Sequence, residues 1–428
     1  MPEISVPSGL DTRRFLLEPG ALSKLPDFLH SAFPGRIPWI VADRNTWRAA
    51  GQCASELLKQ DGSSMPEPFI FPGEPRLHPD FSHVKKLAEL IRENYVPVAI
   101  GSGVINDLVK CASCERGVTY CCVPTACSVD GYTSTGASLS VNGTKMTVQC
   151  PAPRAVCADS LILASAPPEM FASGYADLLT KIPAGADWII ADEIGMHPIR
   201  QDVWQFIQGN IRRWTSDRNH LLNVFEGLAA TGYSMQMMHD SRPASGAEHL
   251  FSHVWEMEGL QKDGEEVSHG FKVGVGLLSS VLLMEFAMEQ DFNTVRKQMR
   301  PGLSIEAREK EIDTLLLRGC YGDAPKKTAL AKFLSGAALT ERRDLIGRKW
   351  ENLRRRLRQQ LPSYTELRSK LSKAGCPVTP AEIGLSREQY LHGIRTAQLI
   401  RNRYTILDLL YELGVLEAAM EKLNRIFR

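Results

Sequence analysis

Residues 96–107, Val-Pro-Val-Ala-Ile-Gly-Ser-Gly-Val-Ile-Asn-Asp, combine an apolar run, a glycine turn and the start of a periodic apolar pattern. The run 96–100 predicts a buried strand, and the spacing of apolar residues in 104–113 predicts a helix. The same alternation continues on both sides, with strands predicted at 36–42, 69–71 and 118–123 and helices at 46–58 and 83–94. Such alternation predicts a parallel sheet with helices on its faces. The N-terminal part of the chain is therefore expected to be an α/β domain.

After about residue 160 the apolar residues follow helical spacing almost throughout. The helical segments are predicted at 168–182, 200–212, 218–231, 246–258, 269–288, 304–318, 325–335, 340–360, 386–401 and 404–425. A chain of 428 residues is long enough for more than one domain. We therefore predict an α/β domain at 1–160 and an all-α domain at 161–428.

The overall charge is almost balanced, with 50 basic and 49 acidic residues. This balance gives no electrostatic argument for nucleic acid as a partner. The basic stretch 341–360 keeps a tryptophan and leucines at helical spacing, which favours a solvated amphipathic helix over a nucleic-acid patch. The longest apolar run, 273–284, is shorter than the ~20 residues that span a bilayer, and the first residues lack a secretory signal pattern. We expect a soluble protein without a membrane span.

The ten cysteines show no disulfide framework. Cys111 and Cys114 form a C-x-x-C pair inside a predicted helix, and no second pair stands at zinc spacing. Ordinary buried or half-buried thiols are the favoured interpretation. This usage fits a reducing cytoplasm.

The glycine turn is a candidate phosphate site. Gly101 and Gly103 lack a Cβ, so the backbone can approach a ligand, and the free N–H groups at the helix start can hold a pyrophosphate. The third glycine of the usual dinucleotide fingerprint is replaced by Asn106, so a plain β-α turn stays open as an alternative. In Rossmann-like sheets, ligands collect at the carboxyl ends of strands. The hydroxyl-rich loop 124–138 follows the next strand and is a candidate second wall of a nucleotide site.

Asp43 closes an earlier predicted strand. Its carboxylate could bind a ribose hydroxyl. A solvated turn aspartate is the alternative for this position.

The second half carries two histidines on one predicted helix. His249 and His253 are four residues apart, so they project to the same face and one or both could meet a metal ion. Ser245 and Glu248 form an S-x-x-E pattern, which predicts a capping box and a helix that starts at Ser245. The positive end of the helix dipole disfavours an imidazolium near that start, and a neutral imidazole is what a metal needs.

Asp177 and His269 extend this set. Asp177 interrupts an otherwise apolar helix face, and burial of an unpaired carboxylate is costly, so a cation is a suitable partner. Gly174 on the same predicted helix would allow close approach of another element. For any single member of the set, a capped or hydrogen-bonded core group is the simpler interpretation. Asp177, His249, His253 and His269 together, after a nucleotide-like domain, indicate a metal-assisted enzyme.

A long ordered series of motifs resembles one known family. The motifs are GSGVINDLVK, TACSVDGYTS, GTKMT, ADSLILASAPPEMFASGYAD, ADWII, SRPASGAEHLFSHVWEM, HGFKVGVG and RYTILDLLYELG. They resemble the sn-glycerol-1-phosphate dehydrogenases, which belong to the iron-containing alcohol dehydrogenase and dehydroquinate synthase superfamily. The similarity covers about residues 13–285 and 386–416. It implies a dehydroquinate synthase-like fold and the reduction of dihydroxyacetone phosphate to sn-glycerol 1-phosphate with NADH or NADPH and a zinc, nickel or iron ion.

The resemblance also implies roles for individual residues. Three residues would bind the metal: Asp177, His249 and His269. The dinucleotide would contact Gly101, Ser102, Gly103, Val104, Ile105, Thr125, Ala126, Cys127, Ser128 and Ser134. Asp130 and His253 would face the small phosphorylated substrate. The metal would then act as a Lewis acid on the ketone oxygen, and His253 would pass on the proton. Cys127 stands where the family usually has proline, and the segment 289–385 has no obvious counterpart.

Other functions remain open at this point. One is a sugar-phosphate cyclase resembling dehydroquinate synthase, although this chain has Thr-Gly-Ala-Ser at 135–138 where those enzymes carry Gly-Gly-Lys-Thr, and Ser-Gly-Ala-Glu-His at 245–249 where they carry Leu-Asn-x-Gly-His-Thr. A glycerol or simple alcohol dehydrogenase of the same superfamily is a second, and a non-catalytic metal- or nucleotide-binding regulator is a third. A homodimer is a candidate assembly.

Overall fold

The computed structural model describes residues 6–141, 144–216, 220–299 and 301–427. By Cα packing the chain forms two compact units. The first unit comprises Met1–Leu178 and Arg212–Ser241, and the second comprises Leu179–Ile211 and Arg242–Arg428.

The elements are numbered in chain order. The strands are β1 (Arg14–Glu18), β2 (Ile37–Asp43), β3 (Phe69–Phe71), β4 (Tyr95–Gly101), β5 (Cys121–Pro124), β6 (Ala137–Val141), β7 (Thr144–Val148), β8 (Ala155–Asp159), β9 (Gln261–Lys262) and β10 (Glu265–Glu266). The helices are α1 (Leu25–Ala32), α2 (Arg44–Thr46), α3 (Gln52–Gln60), α4 (Phe81–Leu90), α5 (Gly103–Glu115), α6 (Ser160–Ser165), α7 (Pro168–Leu179), α8 (Lys181–Glu193), α9 (Gln201–Gln208), α10 (Ile211–Trp214), α11 (Leu221–Met238), α12 (Ala247–Met257), α13 (His269–Glu289), α14 (Phe292–Gln298), α15 (Ile305–Leu315), α16 (Ala324–Ala331), α17 (Gly336–Gln360), α18 (Tyr364–Lys373), α19 (Arg387–Ala397), α20 (Ile406–Glu412) and α21 (Leu416–Ile426). Short 3₁₀ turns lie at Ala21–Lys24, Leu316–Arg318 and Ala381–Ile383, and a π-helical turn lies at Trp47–Gly51.

The first unit is built on a six-stranded sheet in the order β1-β8-β5-β4-β2-β3. All its pairs are parallel, which confirms the predicted α/β class. Every residue of β4 and β5 is buried, as expected for central strands covered on both faces. In the register of these two strands, Gly101 is opposite Pro124. The glycine turn and the hydroxyl-rich loop therefore leave the sheet side by side.

The predicted elements of this unit are found with shifted ends. Strand β5 begins at Cys121 rather than at 118, because Gly117 and Val118 form the C-terminal cap of α5. Gly117 adopts a left-handed conformation with φ 64°, and the N–H of Val118 donates to the carbonyl of Ser113 at 3.0 Å. The helix predicted at 83–94 instead runs from Phe81 to Leu90. The Asp80 carboxylate fixes its start by accepting a hydrogen bond from the N–H of Ser82.

The division into units differs from the predicted boundary at residue 160. Helix α11 has the expected helical period, but it packs within the first unit. Phe225 and Tyr233 of this helix lie against Phe15 of β1, with ring centroids 6.2 and 6.1 Å away. The amide of Gln236 donates to the Thr133 carbonyl at 2.6 Å. Helical periodicity reveals that such a segment is a helix, but it does not reveal which core the helix joins.

The second unit is helical apart from the two-residue strands β9 and β10. Helix α13 lies in its core and is long and apolar enough to cross a membrane, but 78% of its most apolar window is buried, which is typical of a core helix. The basic helix α17 buries the predicted apolar stripe, which includes Trp350, Leu353 and Leu357. The helical second half is therefore confirmed.

Candidate functional site

The glycine turn has the geometry of a phosphate cradle. A Cβ on Gly101 would lie 2.5 Å from the Cβ of Ile105, so only glycine allows the strand to turn directly into the helix. Helix α5 begins at Gly103, and the side chain of its N-cap, Ser102, makes no capping hydrogen bond. Ser102, Gly103 and Val104 are partly exposed. A helix start with reachable N–H groups suits an anionic group.

The hydroxyl-rich loop begins beside this turn. The N–H of Thr125 donates to the Gly101 carbonyl at 3.1 Å. Five predicted cofactor contacts of this loop are buried: Thr125, Ala126, Cys127, Ser128 and Ser134. The Ser128 hydroxyl is 3.0 Å from the Tyr132 hydroxyl, and the Ser134 hydroxyl donates to the Gly131 carbonyl at 3.2 Å. The side chains of these serines therefore help to fix the loop conformation.

Lys110 holds the loop against helix α5, a role not predicted from the sequence. Its ammonium group is buried and donates to the carbonyls of Gly131 at 3.0 Å and Gly136 at 2.8 Å. The Asp107 carboxylate lies 3.3 Å from the same ammonium and accepts a hydrogen bond from the Ser138 N–H. In the sequence, the available signal for this role was the position of Lys110 at helical spacing from the glycine turn. A lysine that is buried there needs acceptors such as these carbonyls and the Asp107 carboxylate.

Asp43 lies at the carboxyl end of β2, and Val41 two residues earlier pairs with Ala99 of β4. Asp43 is therefore at the same edge of the sheet as the glycine turn. Its Oδ1 accepts hydrogen bonds from the N–H groups of Asn45 and Thr46, both at 2.8 Å, and so caps α2. No hydrogen bond of Oδ2 is found among the described residues, which leaves that oxygen for a ligand.

Asp130 and Asp177 are brought together within the first unit. The N–H of Asp130 donates to Oδ2 of Asp177 at 3.0 Å. Asp177 is fully buried near the end of α7. A Cβ on Gly174 of this helix would lie 2.2 Å from the Cys127 carbonyl oxygen, so the expected close approach at Gly174 is present. Through Gly174 the loop 124–138 rests directly on the helix that carries Asp177.

His249, His253 and His269 are brought together within the second unit. The ring centroids of His249 and His269 are 5.3 Å apart, and those of His249 and His253 are 6.5 Å apart. Helices α12 and α13 can approach this closely because a Cβ on Gly276 would lie only 2.5 Å from the Glu248 carbonyl oxygen. His269 is the first residue of α13, so both imidazoles stand near helix N-termini.

The start of α12 differs from the predicted capping box. The helix begins at Ala247, and its N-cap, Gly246, offers no side chain. Two carboxylates supply the acceptors instead: Asp187 accepts from the Ala247 N–H at 2.7 Å, and Glu248 accepts from the Gly246 N–H at 2.6 Å. Asp187 belongs to α8, about 60 residues away in sequence, which is why the local pattern pointed to Ser245. His249 still falls in the first turn.

Glu248 also orients His249. Its Oε1 lies 2.9 Å from Nδ1 of His249, so the opposite ring nitrogen, Nε2, is the one left for a ligand. Burial raises the pKa of Glu248 to about 7 and raises the pKa of Asp187, with the charge of Glu248 adding to the latter. From the sequence, Glu248 was expected only as part of a capping box. Its position next to a candidate ligand histidine was the signal for the second role.

His253 has a different environment from that of His249. Its side chain is 25% exposed, and its Nδ1 lies 3.7 Å from a carboxylate oxygen of Glu256. Lys272 holds that carboxylate, with its ammonium 2.6 Å from the other oxygen. His253 is therefore a solvent-accessible imidazole with a charged partner on one side, which is suitable for proton transfer.

Comparison with known proteins gives one family. A model described as iron-containing alcohol dehydrogenase matches residues 16–167. Glycerol-1-phosphate dehydrogenase (NAD(P)+) of Bacillus velezensis is 37% identical over 247 residues, which cover 55% of this chain and 63% of that protein. The Bacillus subtilis protein of the same name is 31% identical over 320 residues, which cover 72% of this chain and 77% of that protein. A solved structure of a probable glycerol dehydrogenase from Sinorhizobium meliloti shares the fold, with a TM-score of 0.60, 15% identity and coverage of 97% and 98%.

Proposed function

The chain belongs to the glycerol-1-phosphate dehydrogenase family, and from this we propose that it is a metal-dependent oxidoreductase that reduces dihydroxyacetone phosphate to sn-glycerol 1-phosphate with NADH or NADPH. The observation that carries the proposal is the pair of imidazoles of His249 and His269 at two helix starts, 5.3 Å apart. The cradle at Gly101 supports the dinucleotide part.

We assign Asp177, His249 and His269 as the metal ligands. Two imidazoles on one tetrahedral ion, with metal–nitrogen bonds of about 2 Å, have ring centres about 5 Å apart, and the His249 and His269 ring centroids are 5.3 Å apart. Glu248 leaves Nε2 of His249 for the ion. Asp177 is a fully buried carboxylate, and a cation would offset the cost of burying its charge. The donor set of two nitrogens and one oxygen suits zinc, nickel or iron.

We assign the dinucleotide to the edge of the sheet at β2, β4 and β5. The N–H groups from Gly101 to Ile105 would hold the pyrophosphate, and Oδ2 of Asp43 would accept a hydrogen bond from a ribose hydroxyl. The residues Thr125, Ala126, Cys127, Ser128 and Ser134 would form the opposite wall. Lys110 would keep this wall in place through its bonds to two loop carbonyls.

The residues of the chain would share the chemistry as follows. When bound, the dinucleotide supplies a hydride and the metal ion a Lewis acid at the ketone oxygen. His253 would deliver the proton that the product hydroxyl needs, and the Glu256 carboxylate, 3.7 Å from its Nδ1, would stabilise the protonated ring by its charge. Asp130 would face the substrate, and its backbone N–H would keep the Asp177 carboxylate in position. A cytoplasmic location and a homodimer remain predictions from the sequence.

The substrate can be tested with purified protein supplied with zinc, nickel or iron. Oxidation of NADH and of NADPH would be followed with dihydroxyacetone phosphate, dihydroxyacetone and a seven-carbon sugar phosphate. We expect turnover with dihydroxyacetone phosphate only. Preference for dihydroxyacetone would indicate a glycerol dehydrogenase, and consumption of the seven-carbon phosphate without net cofactor oxidation would indicate a cyclase. No reaction with any of the three would contradict the proposed activity and favour a regulator.

A further inference from the structure

The second unit contains a cavity that the proposed chemistry does not use. It has a volume of about 330 Å³, which lies in the range of small-molecule sites. Its walls come from Met196 and from residues between 301 and 417. Much of this lining belongs to 289–385, the segment without an obvious counterpart in the family motifs. The lining includes the apolar side chains of Leu303, Leu315, Leu334 and Leu339.

The lining also contains nine charged residues. Its cations are Arg308, Lys332, Arg342, Arg343 and Arg395, and its acids are Glu311, Asp408, Glu412 and Glu417, all within the described residues. Five positive groups therefore stand against four negative ones. Apolar walls lower the local dielectric and make a small excess of charge more effective than it would be in water. The excess is positive, so the cavity favours an anion.

The cations of the lining differ in how fully they are paired. Arg395 makes a two-point pair with Glu417, whereas Arg342 is held more loosely by its acid. A guanidinium nitrogen of Arg342 lies 3.4 Å from the Glu412 carboxylate, a long single contact rather than a two-point pair. Arg308 is 2% exposed and well paired, since its guanidinium donates to Glu311 at 2.6 Å and to Gln398 at 2.7 Å. Only its Nε lacks a hydrogen-bond partner among the described residues. Lys332 is paired closely with Asp408, at 2.7 Å, but an ammonium group has three N–H donors and this pair does not use all of them. Burial raises the pKa of Glu412 to about 7, so near neutral pH this acid is partly uncharged and the positive excess grows.

We propose that this cavity is a binding site for a small organic anion, in which a carboxylate or phosphate group meets Arg342 and Lys332 and a short hydrocarbon chain lies against Leu303 and Leu339. An arginine can hold either anion through two parallel hydrogen bonds. The apolar lining residues account for the hydrocarbon part of the ligand, because burial of a hydrocarbon chain adds affinity that a bare ion would lack. This site is independent of the proposed reduction.

Calorimetric titration of the full chain tests the proposal with three probes: hexanoate, hexyl phosphate and inorganic phosphate. We expect one site per chain for hexanoate or hexyl phosphate, and at least tenfold weaker binding of inorganic phosphate. The hexyl probe that binds more tightly shows whether the site prefers a carboxylate or a phosphate group. Absence of binding by both hexyl probes would overturn the proposal.

Variants locate the binding. Arg342→Gln should weaken binding of the tighter hexyl probe at least tenfold. Arg348 is an exposed arginine on the same helix α17, and Arg348→Gln should leave this affinity unchanged. Ala331→Trp adds bulk at an exposed lining position and should also abolish binding, and circular dichroism checks that this variant is folded. His249→Ala should retain binding even if it loses metal and turnover. Equal effects of Arg342→Gln and Arg348→Gln, or loss of binding in His249→Ala, would contradict the assignment to this cavity.

Discussion

His249 and His253 lie one helical turn apart and have different surroundings. The His249 side chain is 8% exposed and has Nδ1 against Glu248, whereas the His253 side chain is 25% exposed and faces Glu256. A ring fixed at one nitrogen in a buried place is suited to bind an ion. A ring open to solvent is suited to exchange protons. The spacing of four residues predicted a shared face, but only the packing distinguishes the two environments.

Replacement of the two histidines should have separate effects. His253→Ala should keep about one metal ion per chain and lower kcat about 10²–10⁴-fold, the usual range for loss of a general acid. His249→Ala should lose the metal. Metal content by mass spectrometry and kcat for the same preparations check both statements. Unchanged turnover of His253→Ala would remove its role in proton transfer.

Glu248 should tune metal affinity without touching the ion. Loss of a carboxylate that orients a ligand histidine typically lowers affinity about 10–100-fold, so we expect that effect for Glu248→Ala. Glu248→Gln keeps an oxygen that can accept a hydrogen bond from Nδ1 of His249, so it should lower the metal affinity less than Glu248→Ala does. Competition with a coloured chelator measures both affinities. Affinities equal to that of the unchanged chain in both variants would show that Glu248 serves only the helix start.

Glu412 should make stability depend on pH. Burial raises its pKa from 4.5 to about 7, so the folded chain holds this proton to a higher pH than the unfolded chain does. The free energy of unfolding contributed by this group is therefore retained below pH 4.5 and falls as the pH rises to about 7. Glu412→Gln should reduce that fall by up to about 3 kcal/mol. Urea denaturation at pH 4.5, 6 and 7.5 measures the difference, and parallel curves for the two proteins would contradict it.

At the scale of elements, sequence patterns identified the central strands and most helices because each has its own period and its own turn residues. The edge strand β1 and its neighbour β8 were not predicted. Each strand has five residues, and paired residues such as Arg14 and Ala155 are 141 positions apart in the sequence, so no local pattern relates the two strands. The start of α12 was misplaced for a related reason, because Asp187 caps it from a distant helix. Lys110 escaped notice because its acceptors are backbone carbonyls.

The contact between α7 and the cofactor loop depends on Gly174. An alanine there would place its Cβ 2.2 Å from a backbone oxygen that cannot rotate away, so we expect Gly174→Ala to lower the free energy of unfolding by about 1–3 kcal/mol and to raise KM for the dinucleotide. Gly131→Ala, in the same loop, meets nothing closer than 3.7 Å and is the matched control. Urea denaturation and cofactor titration compare them. Equal behaviour of the two variants would contradict a tight contact at Gly174.

At the scale of the whole molecule, each unit brings part of the proposed chemistry. The first has the glycine turn, Asp43, Asp130 and Asp177, and the second has the three histidines. The order of motifs along the chain indicated both parts from the sequence. The extent of each unit was not predictable, because α11 has the same period as the helices of the second unit and differs only in the residues that it packs against.

Removal and return of the metal is the most direct test of the proposed oxidoreductase. Purified protein would be stripped with a chelator and assayed for NADH oxidation with dihydroxyacetone phosphate, before and after addition of one equivalent of zinc, nickel or iron. We expect the stripped protein to lose turnover and one of the ions to restore it, with no restoration in His249→Ala. Full activity of protein that contains no metal would contradict the assignment of Asp177, His249 and His269 and the mechanism built on it.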